Sequence, residues 1–136
     1  MGILSFLFGN SSANDRYVSE ASFKKNLANQ VNMSSQTIEQ LRKYDVSDKD
    51  KLKLEFFFYT NSKEKSISIA EKLAEKGYSV EYGKSAGDND SFIITGWTNK
   101  IIISEKIVKN WVKEMCEIGY RNDCEFDGWG TNPEQD

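Results

Sequence analysis

The stretch LKLEFFFYTNSKEKSISIAEKLAEKGYSVEY, Leu52 to Tyr82, changes hydrophobic period twice, and those changes decide the fold. From Leu52 to Tyr59 the period is two. Leu52, Leu54, Phe56 and Phe58 share one face, and Lys53, Glu55, Phe57 and Tyr59 share the other. That alternation predicts a strand with one buried side. Asn61 and Glu64 then read as an Asn-x-x-Glu capping box that opens a helix. Ile67, Ala70, Leu73 and Ala74 supply its apolar stripe, and Gly77 stands where a left-handed residue would end it. A second strand follows from Tyr78 to Tyr82.

The pattern returns after the Gly87-Asp-Asn-Asp90 turn. Phe92-Ile-Ile-Thr-Gly-Trp97 reads as a strand, extended by Ile101 to Ile103 beyond an irregularity at Asn99-Lys100. Ser104 is a suitable N-cap, and Ile107, Trp111, Met115 and Ile118 form a helical stripe with Val108 and Val112 beside it. Gly119 is expected to close this helix, before Tyr120 and a last strand around Cys124 to Trp129. Ser62 to Gly77 and Ser104 to Gly119 have the same length, and each ends in Gly-Tyr before a strand. Two strand–helix–strand units with right-handed crossovers predict a ferredoxin-like βαββαβ sandwich of the α+β class: a four-stranded antiparallel sheet with two helices on one face. Upstream, Phe23, Leu27 and Val31 mark one extra N-terminal helix, and Ser34 or Ser35 is expected to cap another carrying Ile38 and Leu41.

The chain divides accordingly into an N-terminal apolar segment, linker and helix (residues 1–35), an α+β domain (36–131) and a short acidic tail (132–136). Met1 to Phe8 is apolar, but too short for a membrane span and without the charged start of a secretory signal. It reads as an anchor strapping the domain, followed by a linker from Asn10 to Asp15, with no stable membrane insertion.

Composition excludes much chemistry. The 136 residues contain no histidine, so the usual general base near neutral pH is missing. There is no nucleophile elbow, P-loop or dinucleotide fingerprint. Asp88 and Asp90 read as solvated turn formers. Cys116 and Cys124 lack metal-ligand spacing and read as small buried apolar groups, so neither a metal nor another cofactor is expected. The chain is read as a non-enzymatic binding protein. Its net charge is only −3, yet residues 117–136 alone carry −5. That acidic end disfavours direct nucleic-acid contact and suits a basic protein partner. Phe57, Tyr59, Phe92 and Trp97 could stack bases, but no Lys/Arg-Gly-Phe-type motif interleaves them; packing beneath the N-terminal helices is the expected role.

The densest local signal is Glu125-Phe-Asp-Gly-Trp-Gly-Thr131. Two glycines around a tryptophan fix a large amphipathic ring in one place. Either Trp129 plugs the edge of the sheet or it anchors a partner. The candidate partner-binding residues are Asp123, Glu125, Asp127, Gly128, Trp129, Gly130 and Thr131.

Asp127 to Thr131 is also where the chain resembles the regulator of ribonuclease activity B (RraB) family, protein inhibitors of ribonuclease E. Leu41-Arg-Lys-Tyr-Asp-Val-Ser-Asp-Lys-Asp50 before Leu54-Glu-Phe-Phe-Phe-Tyr59, and Lys76-Gly-Tyr-Ser-Val80, are similar to further family features. The resemblance spans residues 36 to 131. It implies a ferredoxin-like fold, a bacterial cytoplasmic location and control of RNA decay by docking on the basic scaffold of ribonuclease E, for which an acidic surface is suited. The chain departs from the family pattern in residues 1–33 and in having five residues after Thr131. A second reading is therefore an immunity- or adaptor-type protein-binding module on the same fold with a different partner.

Overall fold

In the computed structural model, the described residues are 16–87 and 90–135. The expected strap Met1–Phe8, the linker Asn10–Asp15 and the turn residue Asp88 lie outside them. In chain order the elements are α1 (Glu20–Lys43), β1 (Lys51–Leu52), β2 (Glu55–Thr60), α2 (Lys63–Glu75), β3 (Ser79–Lys84), β4 (Phe92–Trp97), β5 (Ile101–Ile102), α3 (Glu105–Arg121) and β6 (Glu125–Gly130). Among the described residues this is an α+β architecture of three helices and antiparallel sheets. The main sheet has strand order β3-β4-β2-β6, with every neighbouring pair antiparallel.

The period-two reading of the first strand holds in burial. Phe56, Phe58 and Thr60 are buried, whereas Glu55, Phe57 and Tyr59 are only partly so. Phe56 and Phe58 pack with Ile94, Phe126, Leu73, Val112 and Met115 in one continuous core beneath α2 and α3. The alternation of burial continues back through Leu54 and Leu52, but the strand ladder is interrupted at Lys53-Leu54. There the Leu54 N–H donates to Thr98 Oγ1 at 2.9 Å and the Thr98 N–H donates to the Leu54 carbonyl at 2.9 Å. Upstream of this splice, β1 pairs with β5 as a small separate ladder.

The helix starts were legible, with one shift. Ser104 caps α3 as expected, accepting from the Ile107 N–H. The cap of α2 is Ser62, which accepts from the Lys65 N–H at 3.2 Å, not Asn61. Gly77 ends α2 in the left-handed region at φ 86°, with the Tyr78 and Gly77 N–H groups closing a Schellman turn on Leu73 and Ala74.

The end of α3 overturns the expected symmetry. The helix runs through Gly119 to Arg121, and Asp123, at φ 56°, takes the left-handed position. The Cys124 N–H closes the turn on the Gly119 carbonyl at 2.8 Å. Gly119 serves a packing role instead: a Cβ there would stand 2.7 Å from the Cys124 carbonyl and 3.0 Å from the Phe58 ring.

The N-terminal region also differs from expectation. One 24-residue helix, about 36 Å long, replaces two. Ser34 does not cap a second helix. Its buried hydroxyl donates to the Gln30 carbonyl one turn back at 2.8 Å, so the chain passes through residues 35 and 36 without a break. No Gly or Pro between Glu20 and Lys43 offers a stop. Of the aromatics expected to pack beneath N-terminal helices, α1 shares a hollow with Phe57, through Gln30, Met33, Ser34 and Thr37, but not with Tyr59 or Trp97. It lies against α3 and the margin of β6, where Asn26 Nδ2 donates to the Phe126 carbonyl at 2.8 Å. That bond occupies part of the free edge of β6, a position that otherwise invites pairing with another chain.

Candidate functional site

Strand β6 and α1 form the two walls of a groove. Met33, Thr37 and Gln40 recur on one side of α1 at helical spacing, and Tyr44, which caps its C-terminus, continues the row. Facing them are Asp127, Gly128, Trp129, Gly130 and Thr131, followed by Pro133 and Glu134. The groove comprises two hollows of about 190 and 470 Å3 that share Thr37 as a wall. Met33 is 51% exposed and Tyr44 69%, unusual values for large apolar side chains on and just after a helix that also has a buried face. The lining contains the carboxylates of Asp127 and Glu134 and neither Lys nor Arg.

Each candidate residue has a distinct place. Asp123 is buried and serves the fold. Its carboxylate accepts from the Tyr17 and Val18 N–H groups, both at 2.8 Å, and pairs with Lys65 Nζ at 2.7 Å. Burial alone would raise its pKa, but the Lys65 hydrogen bond and the two backbone donors outweigh that and hold it below the usual carboxylate range. Asp123 therefore pins the entry to α1 instead of presenting charge to a partner. Glu125 is half-buried and pairs across the ladder with Tyr59.

Asp127 is the extra residue of a β-bulge. Phe58 pairs with Phe126 and Phe57 with Gly128, which leaves Asp127 out of the ladder. Gly128, at φ 134°, supplies the backbone that this bulge needs. Asp127 is exposed, yet partial desolvation of its carboxyl raises its pKa above the ordinary value. No cation pairs with it among the described residues.

Trp129 is packed into the margin of the sheet and keeps part of its surface open. The ring meets Trp111 edge-on with centroids 6.2 Å apart, and Nε1 donates to Ser34 Oγ at 3.0 Å. It is thus tied into both α3 and α1, while its remaining surface lines the smaller hollow. Gly130 carries no side chain to fill the larger hollow, and Thr131 Oγ1 donates to the Lys53 carbonyl at 2.7 Å, fixing the tail that forms its far wall. Met33 and Tyr44 were missed as site residues. The signal for them was a second stripe along α1 and its cap, Met33-Thr37-Gln40-Tyr44, offset from the core stripe through Ile38 and Leu41.

The remaining reactive groups are inert or structural. Cys116 and Cys124 are buried free thiols, each pushed up to about 12 chiefly by burial. Among the described residues no group of three or more acids and cysteines is placed to hold a metal ion. Among them, too, no helix is long and apolar enough to cross a membrane.

A groove walled by apolar side chains, with carboxylates that have no cation beside them among the described residues, has the composition expected of a surface that meets another protein. The family described as Regulator of ribonuclease activity B matches residues 32–131, and the chain belongs to that RraB family. Its members are regulators of ribonuclease activity, not catalysts. No curated protein matches the chain significantly.

Proposed function

We propose that this protein restrains RNA decay in the bacterial cytoplasm by docking on the basic scaffold of ribonuclease E, and that the α1–β6 groove receives it. The observation that carries the reading is Asp127: a carboxylate lifted out of the ladder by a bulge, partly desolvated and unpaired, beside exposed Met33 and the half-buried Trp129. A Lys or Arg of the partner would relieve that desolvated charge, and the apolar wall would hold its stem. Glu125 adds charge at the start of the strand. Gly128, Gly130 and Thr131 give the floor its shape, and Asp123 supports β6 from within. The frame is read as a ferredoxin-like sandwich, which the β3-β4-β2-β6 order and the packing of α2 and α3 on one side support. Residues 36–131 then form the regulatory domain, with α1 running into it from upstream.

The test is binding of purified ribonuclease E scaffold to wild type, Asp127→Lys and Met33→Asp, both surface changes that leave the core intact. Loss of about tenfold or more in affinity is expected for each, since a charge reversal or a buried acid costs at least 1.4 kcal/mol at such a contact. Unchanged affinity in both variants would remove the groove from the interface. Absence of any binding by wild type would favour the other reading, an immunity- or adaptor-type module with a different protein partner.

A further inference from the structure

The face of the main sheet opposite α2 and α3 has a composition of its own. Register places Tyr59 opposite Ile93, Phe57 opposite Thr95, and Glu55 opposite Trp97, all with outward side chains. Phe57, Tyr59, Ile93 and Trp97 are each partly exposed and stand outside the core cluster. They form a contiguous apolar patch across the two central strands. The patch is flat at both margins, because Gly83 on β3 and Gly130 on β6 leave open space where a Cβ would project. At its centre the buried Thr95 hydroxyl has no hydrogen-bond partner among the described residues.

Charge discriminates between occupants. Glu55, Glu81 and Glu125 stand on this face, and no outward position of the four strands carries Lys or Arg. A nucleic acid could stack on the aromatics, but the outward strand positions offer its phosphates three glutamates and no cation, with Lys53, beside Trp97 at the margin, the nearest positive charge in the lining. A second copy packed face to face would set these glutamates against their own counterparts. A cationic, otherwise apolar polypeptide meets every feature: guanidinium or ammonium groups over the rings and beside the glutamates, and apolar side chains on Ile93 and Trp97.

We infer that this open face is a second docking surface, whose occupant is an arginine- or lysine-bearing apolar segment of a protein partner. The inference rests on the reading of the chain as a protein-binding regulator, but not on use of the α1–β6 groove. Phe57 and Gly128 border both surfaces, so one partner chain could pass from groove to face around β6.

The experiment titrates the isotope-labelled full chain with a synthetic twelve-residue peptide of alternating arginine and leucine, followed by amide and indole resonances. Expected are saturable shifts of the Trp97 indole and the Tyr59 and Thr95 amides. A Glu55→Lys/Glu81→Lys variant with wild-type melting should bind about tenfold more weakly. Should the double variant unfold, Glu81→Lys alone on the edge strand must still weaken binding. Four results overturn the inference: equal shifts from an alternating glutamate–leucine peptide or from oligouridylate; shifts confined to Met33, Thr37 and Asp127; concentration-dependent Trp97 shifts without peptide, which would make a second copy the occupant; or peptide binding only after deletion of residues 1–8, which would make that segment the occupant. Shifts on the face, together with groove variants that leave ribonuclease capture unchanged, would retire the groove and keep the face.

Discussion

Replacing Gly119 with alanine tests the joint that sets β6 in position, because two physical effects of opposite sign meet there. In an ordinary helix interior the substitution stabilises by about 1 kcal/mol, since alanine loses less backbone entropy. Here the added methyl would lie 2.7 Å from the Cys124 carbonyl oxygen and 3.0 Å from Phe58 Cε1. The carbonyl is the harder neighbour. It belongs to the turn that the Cys124 N–H closes on Gly119 itself at 2.8 Å, so moving it strains or breaks that bond. Overpacking of this kind costs about 1–3 kcal/mol, and a weakened turn hydrogen bond adds about 1 kcal/mol. Net destabilisation of about 1–3 kcal/mol follows, a fall in Tm of roughly 3–5 °C per kcal/mol for a chain of this length. Urea unfolding followed by far-ultraviolet circular dichroism measures it, with Gly83→Ala as control, because nothing lies within 4 Å of a Cβ there. A Gly119→Ala midpoint equal to or above wild type would refute the reasoning and return Gly119 to the role of a simple helix stop.

Three further outcomes are expected. Trp129→Phe keeps the ring but loses the donor to Ser34, costing about 1 kcal/mol, whereas Trp129→Ala also empties the contact with Trp111 and costs about 3 kcal/mol or more by urea unfolding. If both variants stay within about 0.5 kcal/mol of wild type, Trp129 is not tied into the fold. Asp123→Asn should cost about 2 kcal/mol at neutral pH by stranding Lys65 and weakening the bonds to Tyr17 and Val18. Because the folded pKa of Asp123 is lowered, its contribution is complete above the unfolded value near 4 and disappears as pH falls through the folded one. The gap between wild type and variant in a pH series should therefore close in acid, and a constant gap would contradict the assignment. Cys116 and Cys124, at about 12, should react with a disulfide reagent at pH 8 only as fast as the protein opens, their thiolate fraction being roughly one in ten thousand. Rapid stoichiometric labelling of the native chain would show a thiol more accessible than its burial allows.

Much of the fold was legible because its signals are local. Alternation from Leu52 to Tyr59 marks a strand whatever lies around it, and Ser104 and Gly77 cap helices through bonds to residues within a turn or so. What misled were residues whose role is decided at a distance. Ser34 has the chemistry of an N-cap, but its hydroxyl is taken up by Gln30 and then by the indole of Trp129, far along the chain. Gly119 has the chemistry of a helix stop, but the need for close approach of Phe58 and Cys124 holds glycine there, and Asp123 adopts the left-handed turn in its place. Such conflicts between local preference and tertiary demand concentrate where α1, α3 and β6 meet, beside the groove.

The acidic motif at the end of the chain shows the same division within a single strand. Composition marks Asp123, Glu125 and Asp127 as one patch of charge, but the backbone separates them. Asp123 is turned inward by a left-handed turn and satisfied by Lys65 and two backbone donors, so a partner would have to break the fold to reach it. Asp127 is turned outward by a bulge and has no cation beside it among the described residues, which leaves its charge open to one from a partner. The difference lies in the sign of the pKa shift: lowered where the protein already supplies the counter-charge, raised where it does not. Partner binding through Asp127 should accordingly strengthen as pH rises through its raised pKa, while the contribution of Asp123 to stability is already complete there. Affinity for a basic partner measured across that range, with Asp127→Asn removing the dependence, separates the outward carboxylate from the inward one. A pH dependence that survives in the variant would assign the linkage to another acid and leave Asp127 outside the interface.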